Sequence, residues 1–250
     1  MGDLSELFKI LSNTKRLQML FILKESKKLS DIAKELKMPS PEVARNLKIL
    51  HNADLVIKEE DKYKISNLAN LIIENSLSFL EFIWRYKEIF TDHTLPLPKE
   101  FIYRLGEVGE LQIIRGTIDG FNLSMRRFEK TRYYHFASAE KVLEGFVMPF
   151  VKLLKRGVNV RLVVSTKAID ELYRVSEEYP EIKNTRLKVR VRDEIPVTVL
   201  VDENSAEINI PFVNGKMDYG ITFYSENEKY RKFAKDLFYY LWSDAKEIKI

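Results

Sequence analysis

Three histidines and no cysteine limit the side-chain chemistry open to this 250-residue chain. Without thiols there is no disulfide, thiolate zinc site, iron–sulfur cluster or sulfur nucleophile. A histidine metal site would need His51, His93 and His135 together, and they are scattered along the sequence, so neither metal nor cofactor is expected. His135 lies in an apolar run that reads as a strand, which makes it a packed core residue. His93 comes just after a long helical pattern and reads as structural, bridging that helix to the second domain. The carboxylate pairs Asp193-Glu194 and Asp202-Glu203 fall at strand ends and read as solvated turns. Lys152, Lys155 and Arg156 close a helix, where cations complement the dipole.

A second set of residues suits anion binding. Ser138 follows Ala137, and Ser165 and Thr166 follow Val164, each at the carboxyl end of an expected strand and the start of a helical stretch. Ligands of α/β sheets bind beyond strand carboxyl ends, and helix N-termini offer free N–H groups to anions. Arg115, just after another strand, adds a charge. Arg115, Ser138, Ser165 and Thr166 are therefore candidate ligand-binding residues, although serine at a helix start also serves as a plain cap.

The elements that must position these groups fall into two parts. Residues 1–67 carry 13 basic against 10 acidic side chains, most of the chain's net charge of +4. Leu4, Leu7, Phe8 and Leu11 recur at helical spacing, and Asn13 offers a cap to a second helix with Leu17, Leu20, Phe21 and Leu23 inward. Ser30 is placed to cap a third helix, which Met38-Pro39 ends. Ser40-Pro41-Glu42 opens a fourth, with Ser40 as cap and Pro41 at the first helical position. Its apolar face is Val43, Leu47 and Leu50, and its other face shows Arg45, Asn46, Lys48 and Asn52. Two apolar runs about Glu59-Glu60-Asp61 make a hairpin.

Residues 67–92 continue as a helix without proline or glycine, apolar on more than one side and hence covered on more than one side. The expected domains are 1–66, a linking and dimerising segment 67–95, and 96–250. Within the last, strands at 111–114, 133–137, 158–164, 187–191 and 197–201 alternate with helices at 119–130, 139–155 and 167–178. A late hairpin turns at Asn214-Gly215, and Ser225-x-x-Glu228 reads as the capping box of a final helix. This alternation implies an α/β sandwich around a partly parallel sheet.

Short helices, a recognition-type helix and a hairpin make a winged helix-turn-helix. Leu11 to Leu17, Leu29 to Leu36 and Val43 to Leu50 followed by Ala53-Asp54-Leu55-Val56 resemble the ArsR-type regulators. The resemblance implies that the fourth helix enters the major groove of double-stranded DNA. It would present Ser40, Glu42, Arg45 and Asn46 to base edges, with Arg45 suited to guanine and Asn46 to adenine. Lys48 and the wing lysines Lys58, Lys62 and Lys64 would hold phosphates. Arg45 and Lys48 are equally what a solvated helix face carries, and Glu42 also suits the helix dipole. The sequence departs from the family at Pro41 and Glu42, at Asp54 where a glycine is usual, and in an acidic wing tip.

Trp84-Arg85-Tyr86, Asp92 to Pro98, Tyr103 to Gly109 and Phe233 to Tyr240 resemble the archaeal Fil-type methanogenesis regulators. That resemblance implies a phospholipase-D-like effector domain, as in the TrmB group of sugar-responsive regulators. Active enzymes of that fold carry His-x-Lys, and none of the three histidines has lysine two residues on. The expected fold is thus an α+β winged helix-turn-helix domain followed by an α/β effector domain. The expected function is that of a cytoplasmic, homodimeric, ligand-modulated transcription regulator, not an enzyme and without a membrane segment. A phosphodiesterase with a non-standard site and a ligand-free architectural DNA binder stand as alternatives.

Overall fold

In the computed structural model residues 4–250 are described, and the opening Met1-Gly2-Asp3 of the expected first domain lies outside them. The chain divides into two compact units that part at Leu80 and Glu81, inside the expected 67–95 segment.

The first unit builds its core from residues three and four apart. Helices α1 (Leu4–Leu11), α2 (Thr14–Ile22), α3 (Leu29–Glu35) and α4 (Ser40–Asn52) are joined by a small antiparallel sheet. Its strands are β1 (Lys27–Lys28), β2 (Val56–Glu59) and β3 (Lys62–Ile65), with β3 in the middle. Met19, Leu20, Leu23, Ile32, Val43, Leu47 and Leu50 are fully buried together. At roughly 1.5–3 kcal/mol per buried aliphatic side chain, this cluster holds the unit together. Asn13 caps α2 as expected, accepting from Arg16 N at 3.1 Å.

Two expected caps are corrected. Helix α4 starts one residue earlier than Ser40 would cap, because the Pro39 carbonyl already accepts from Glu42 N and Val43 N at 3.0 and 3.1 Å. Ser30 likewise sits inside α3, whose N-cap is Lys28. Both α3 and α4 end in a left-handed residue, Lys37 at φ 52° and Asp54 at φ 58°. After each, the next N–H reaches back five residues, Met38 N to Ala33 O and Leu55 N to Leu50 O, both at 2.9 Å. Asp54 thus holds a left-handed position of the kind that glycine adopts most easily. Left-handed backbone is costlier for lysine than for aspartate. Lys37→Gly is therefore expected to stabilise the first unit by about 1 kcal/mol, read from its urea unfolding midpoint. A lowered midpoint would refute the strain assigned to Lys37.

The expected helix over 67–92 is shorter and interrupted. Helix α5 (Asn67–Ile72) passes through a wide turn, Ile73–Leu77, into α6 (Ser78–Arg85), and hydrogen-bonded turns continue to His93. The Ser78 hydroxyl donates to the Ile73 carbonyl five residues back at 2.9 Å, supporting the wide turn.

The second unit is one eight-stranded mixed sheet with helices on both faces. In chain order it contains α7 (Lys99–Tyr103), β4 (Gln112–Arg115), α8 (Thr117–Lys130), β5 (Tyr134–Ala139), α9 (Glu144–Lys155) and β6 (Asn159–Ser165). Next come α10 (Ile169–Glu178), β7 (Leu187–Arg192), β8 (Thr198–Asp202), β9 (Ala206–Asn209), β10 (Ile221–Ser225), α11 (Glu228–Ser243) and β11 (Lys246–Ile248). The strand order is β11-β7-β6-β5-β8-β9-β10-β4. β5, β6 and β7 run parallel, and the remaining pairs are antiparallel.

Alternation along the strands sends Ala137, Leu162, Val164 and Val189 to one face, where Leu172 of α10 packs. Phe136 points the other way and stacks on Phe238 of α11, with centroids 5.2 Å apart. The cap of α11 is Asn227, which accepts from Lys229 N at 2.8 Å, in place of the expected Ser225. Ser225 instead accepts from Asn227 N.

Candidate functional site

Helix α4 of the first unit presents one wet face and one dry one. Pro41, Ala44, Arg45 and Lys48 recur at helical spacing and are exposed, as is Ser40. Val43, Asn46, Leu47 and Leu50 form the buried face. Asn46 is thereby corrected as a base-reading candidate: it is 4% exposed, and its Nδ2 donates to the Glu42 carbonyl at 3.0 Å. The reason is periodicity, since position 46 lies three after Val43 and four before Leu50. Ala44, which carried no signal in the sequence, stands beside Arg45 on the outward face and offers a methyl-sized contact.

Glu42 is half-buried and accepts a hydrogen bond from Lys15 Nζ of α2 at 2.7 Å. Such a partly exposed pair contributes at most about 1 kcal/mol, but it commits the Glu42 carboxylate to a protein partner. Arg45 and Lys48 make no ion pair among the described residues.

In the wing, Glu59 pairs with Lys62 across the hairpin and Glu60 turns it at φ 55°. The acidic tip is partly neutralised: Lys64 holds Glu59 at 2.6 Å, and Lys28 holds Asp61 at 2.7 Å. The Lys28 contact keeps the Asp61 carboxyl below the usual carboxylate range. Lys64 is thus engaged within the wing. Lys58 lies 5.7 Å from the Tyr63 ring centroid, and it and Lys62 remain exposed without an ion pair among the described residues.

The second unit contains a partly open cavity of about 270 Å³. Its floor is the sheet face carrying His135, Ala137, Leu162, Val164 and Leu200, and its roof is α8, α9 and α10. Phe121, Phe128 and Phe146 meet edge to face in the roof, at 5.0 and 5.9 Å between centroids. Gly145 allows this, because a Cβ there would stand 2.9 Å from the Phe121 ring.

The cavity lies under the helices, not beyond the strand ends. Of the four expected ligand residues only Ser138 lines it. Its hydroxyl is already committed, donating to Val197 O at 3.0 Å and accepting from Val199 N at 2.9 Å. Ser165 is buried with its hydroxyl on the Glu140 carbonyl, and Arg115 and Thr166 are exposed outside the cavity.

Against the cavity stands a buried ionic cluster. Arg127 of α8 lies 2.7 Å from Asp202 and 2.7 Å from Glu207, and its Nε donates to Ser205 Oγ at 2.6 Å. Ser124 Oγ donates to Glu207 at 2.8 Å. Burial opposes the Arg127 charge, but the Glu207 and Asp202 carboxylates outweigh it and keep the guanidinium protonated. Asp202 is corrected from a solvated turn to a fully buried ion-pair partner, because β8 carries it inward opposite His135. Its neighbour Glu203 accepts from the backbone N–H groups of Arg132, Tyr133 and Tyr134. Alternation on strands could have placed Asp202 inward with Leu200, but Arg127 and Glu207 carried no sequence signal.

His135 is buried, as expected, and packs edge-on against Phe128 at 4.9 Å. Burial, with the Arg127 charge beside it, drives its pKa down to about 3, so the ring stays neutral. His93 behaves oppositely. It bonds Asp92 at 2.6 Å and Asp218 at 3.0 Å and bridges to Phe212, tying the turns after α6 to the late hairpin. Burial disfavours its charge, but the bonds to Asp218 and Asp92 prevail and raise its pKa above 6.5. A raised folded pKa contributes stability that is complete below pH 6.5 and fades as pH rises through the higher value. The second unit is expected to lose melting temperature on that ascent, and His93→Gln to flatten the loss. An NMR titration midpoint for His93 at or below 6.5 would contradict this.

Two family descriptions match the chain. That of bacterial regulatory proteins of the arsR family matches residues 13–58, and that of the methanogenesis regulatory protein FilR1 middle domain matches residues 121–244. No curated protein matches the chain. Among solved structures, TrmBL2, an archaeal chromatin protein with a novel mode of DNA binding, is 13% identical at a TM-score of 0.48, covering 94% of each chain. Nuc of Salmonella typhimurium, a phospholipase D family member, is 15% identical at a TM-score of 0.40, covering 56% of this chain and 100% of its own. No helix among the described residues is long and apolar enough to cross a membrane. The chain joins an ArsR-family helix-turn-helix to a FilR1 middle domain and is a DNA-binding transcription regulator.

Proposed function

We propose that this regulator works in the cytoplasm as a homodimer whose hold on DNA is set by a small molecule in the second unit. The cavity is the observation that carries the ligand half of this reading: a largely apolar space of about 270 Å³ lined mostly by residues of the FilR1-type region. In the proposed division of labour, 1–66 reads DNA, 67–95 links and dimerises, and 96–250 senses. The sensing part is taken as a phospholipase-D-type fold without the enzyme's His-x-Lys pair, a reading supported by its mixed sheet between two helical layers. Arg45 and Ser40 are placed on base edges, with Ala44 against a thymine methyl group, and Lys48, Lys58 and Lys62 on phosphates. Glu42, Asn46 and Lys64 position these residues.

Exposed apolar side chains in the linking segment support the dimer. Leu68 and Leu71 on α5 and Leu80 and Trp84 on α6 are large and exposed, Trp84 to 72%. Large apolar side chains left uncovered mark association surfaces. A two-fold dimer would present its recognition helices about one DNA turn apart. Leu71→Lys with Trp84→Lys is expected to yield monomers by sedimentation and to weaken binding to a two-half-site duplex at least tenfold. Dimers of unchanged stability in that variant would overturn the assignment of these side chains to the dimer contact.

A further inference from the structure

The two ends of the cavity differ in chemistry. Strand register sets Leu187 of β7 and Leu162 and Val164 of β6 at one end of the floor, and Thr198 of β8 with Glu207 and Asn209 of β9 at the other. The first end is wholly apolar. The second carries a charge that the protein's own cation does not balance. Arg127 faces both Asp202 and Glu207, so this buried cluster has a formal charge of −1. A buried charge without full compensation is costly, and a ligand that supplies the missing charge removes that cost.

His135 lies between the two ends. It lines the cavity, is 1% exposed, and its Nδ1 is buried with no hydrogen-bond partner among the described residues. A neutral imidazole with its proton on Nε2 offers Nδ1 as an acceptor. Overhead, Phe121, Phe128 and Phe146 supply an aromatic roof, and the face of an aromatic ring attracts a cation.

We propose that the cavity binds a hydrophobic amine, with a compact apolar body over β6 and β7 and an ammonium head donating to the Glu207 carboxylate and His135 Nδ1. The proposal rests on the ligand-modulated reading above and names the class of its ligand. The ammonium brings three N–H donors and one positive charge, matching the unfilled acceptor and the unbalanced carboxylate. Lys141, exposed at the cavity rim, is the feature that would favour a carboxylate instead.

Three probes with one apolar body separate these chemistries: adamantylamine, adamantanol and adamantanecarboxylate, titrated into the full chain at neutral pH by calorimetry. The amine is expected to bind at least tenfold more tightly than the alcohol, and the carboxylate weakest of all. Carboxylate binding as tight as the amine's, or no binding by any probe, overturns the proposal. Glu207→Gln is expected to erase the amine's advantage while leaving alcohol affinity within about twofold, a change in selectivity that damaged folding would not produce. Should that variant fail to fold, Ala137→Leu, which fills the floor without touching the ionic cluster, is expected to abolish amine binding. Undiminished binding there refutes the location. Amine binding that leaves DNA affinity unchanged supports the ligand class and contradicts ligand control of DNA binding, so the two failures are distinguishable.

Discussion

Arg127→Met is expected to destabilise the second unit by roughly 3–5 kcal/mol, because it leaves two carboxylates buried without their cation. The guanidinium is 5% exposed and makes its contacts to Asp202, Glu207 and Ser205 in a fixed fork, a geometry lysine would not reproduce. Most of that loss is the cost of the stranded charges, not the worth of the ion pairs. Arg127→Met combined with Asp202→Asn and Glu207→Gln should therefore recover much of the lost stability. Urea unfolding of the single and triple variants, monitored through the second unit, gives the answer. A single-variant loss below about 1 kcal/mol would mean that water or rearrangement already compensates the carboxylates.

Arg45→Ala is expected to weaken specific DNA binding by about 1–3 kcal/mol, roughly 5- to 150-fold, while scarcely changing binding to a scrambled duplex. The side chain is exposed on the outward face of α4 and has no ion-pair partner among the described residues, so its removal leaves the fold intact. Lys48→Ala should act differently, weakening both duplexes alike and lowering the salt dependence by about one phosphate contact. Asn46→Ala should act differently again. It removes a buried hydrogen bond to Glu42 O and is expected to lower stability by about 1 kcal/mol with base selectivity retained. Equal losses on both duplexes for Arg45→Ala would place that residue on the backbone.

Much of the first unit was legible because its periodicities are strong. Val43, Leu47 and Leu50 announce α4, and the two apolar runs about Glu59-Glu60-Asp61 announce the wing. The same periodicity, applied strictly, would have put Asn46 inside with them. The caps misled because a serine hydroxyl is only one way to close a helix start. The Pro39 carbonyl and the Asn227 side chain do that work instead of Ser40 and Ser225.

In the second unit the strands were visible as branched aliphatic runs, but their order was not. Pairing of β5 with both β6 and β8 is a long-range event with no local signature. That pairing brings Arg127, Asp202 and Glu207 together from positions 75 and 5 residues apart in sequence, which is why the ionic cluster was hidden. The expected ligand residues came from a rule about strand carboxyl ends, whereas the cavity opened under α8 and α9. Phe121, Phe128 and Phe146 line its roof, and Gly145 lets the Phe121 ring close against α9. Lys246-Glu247-Ile248 forms β11 without a sequence signature, because a charged edge strand has no apolar alternation to read.

Regulation of DNA by this chain requires that it tell one sequence from another. Its most direct test is the affinity of the full chain for a duplex from its own upstream region, measured against a scrambled duplex over a range of salt concentrations. Tight binding to the upstream duplex alone is expected, with log affinity falling linearly as log salt rises, at a slope of several phosphate contacts. Equal affinity for both duplexes at every salt concentration would contradict it.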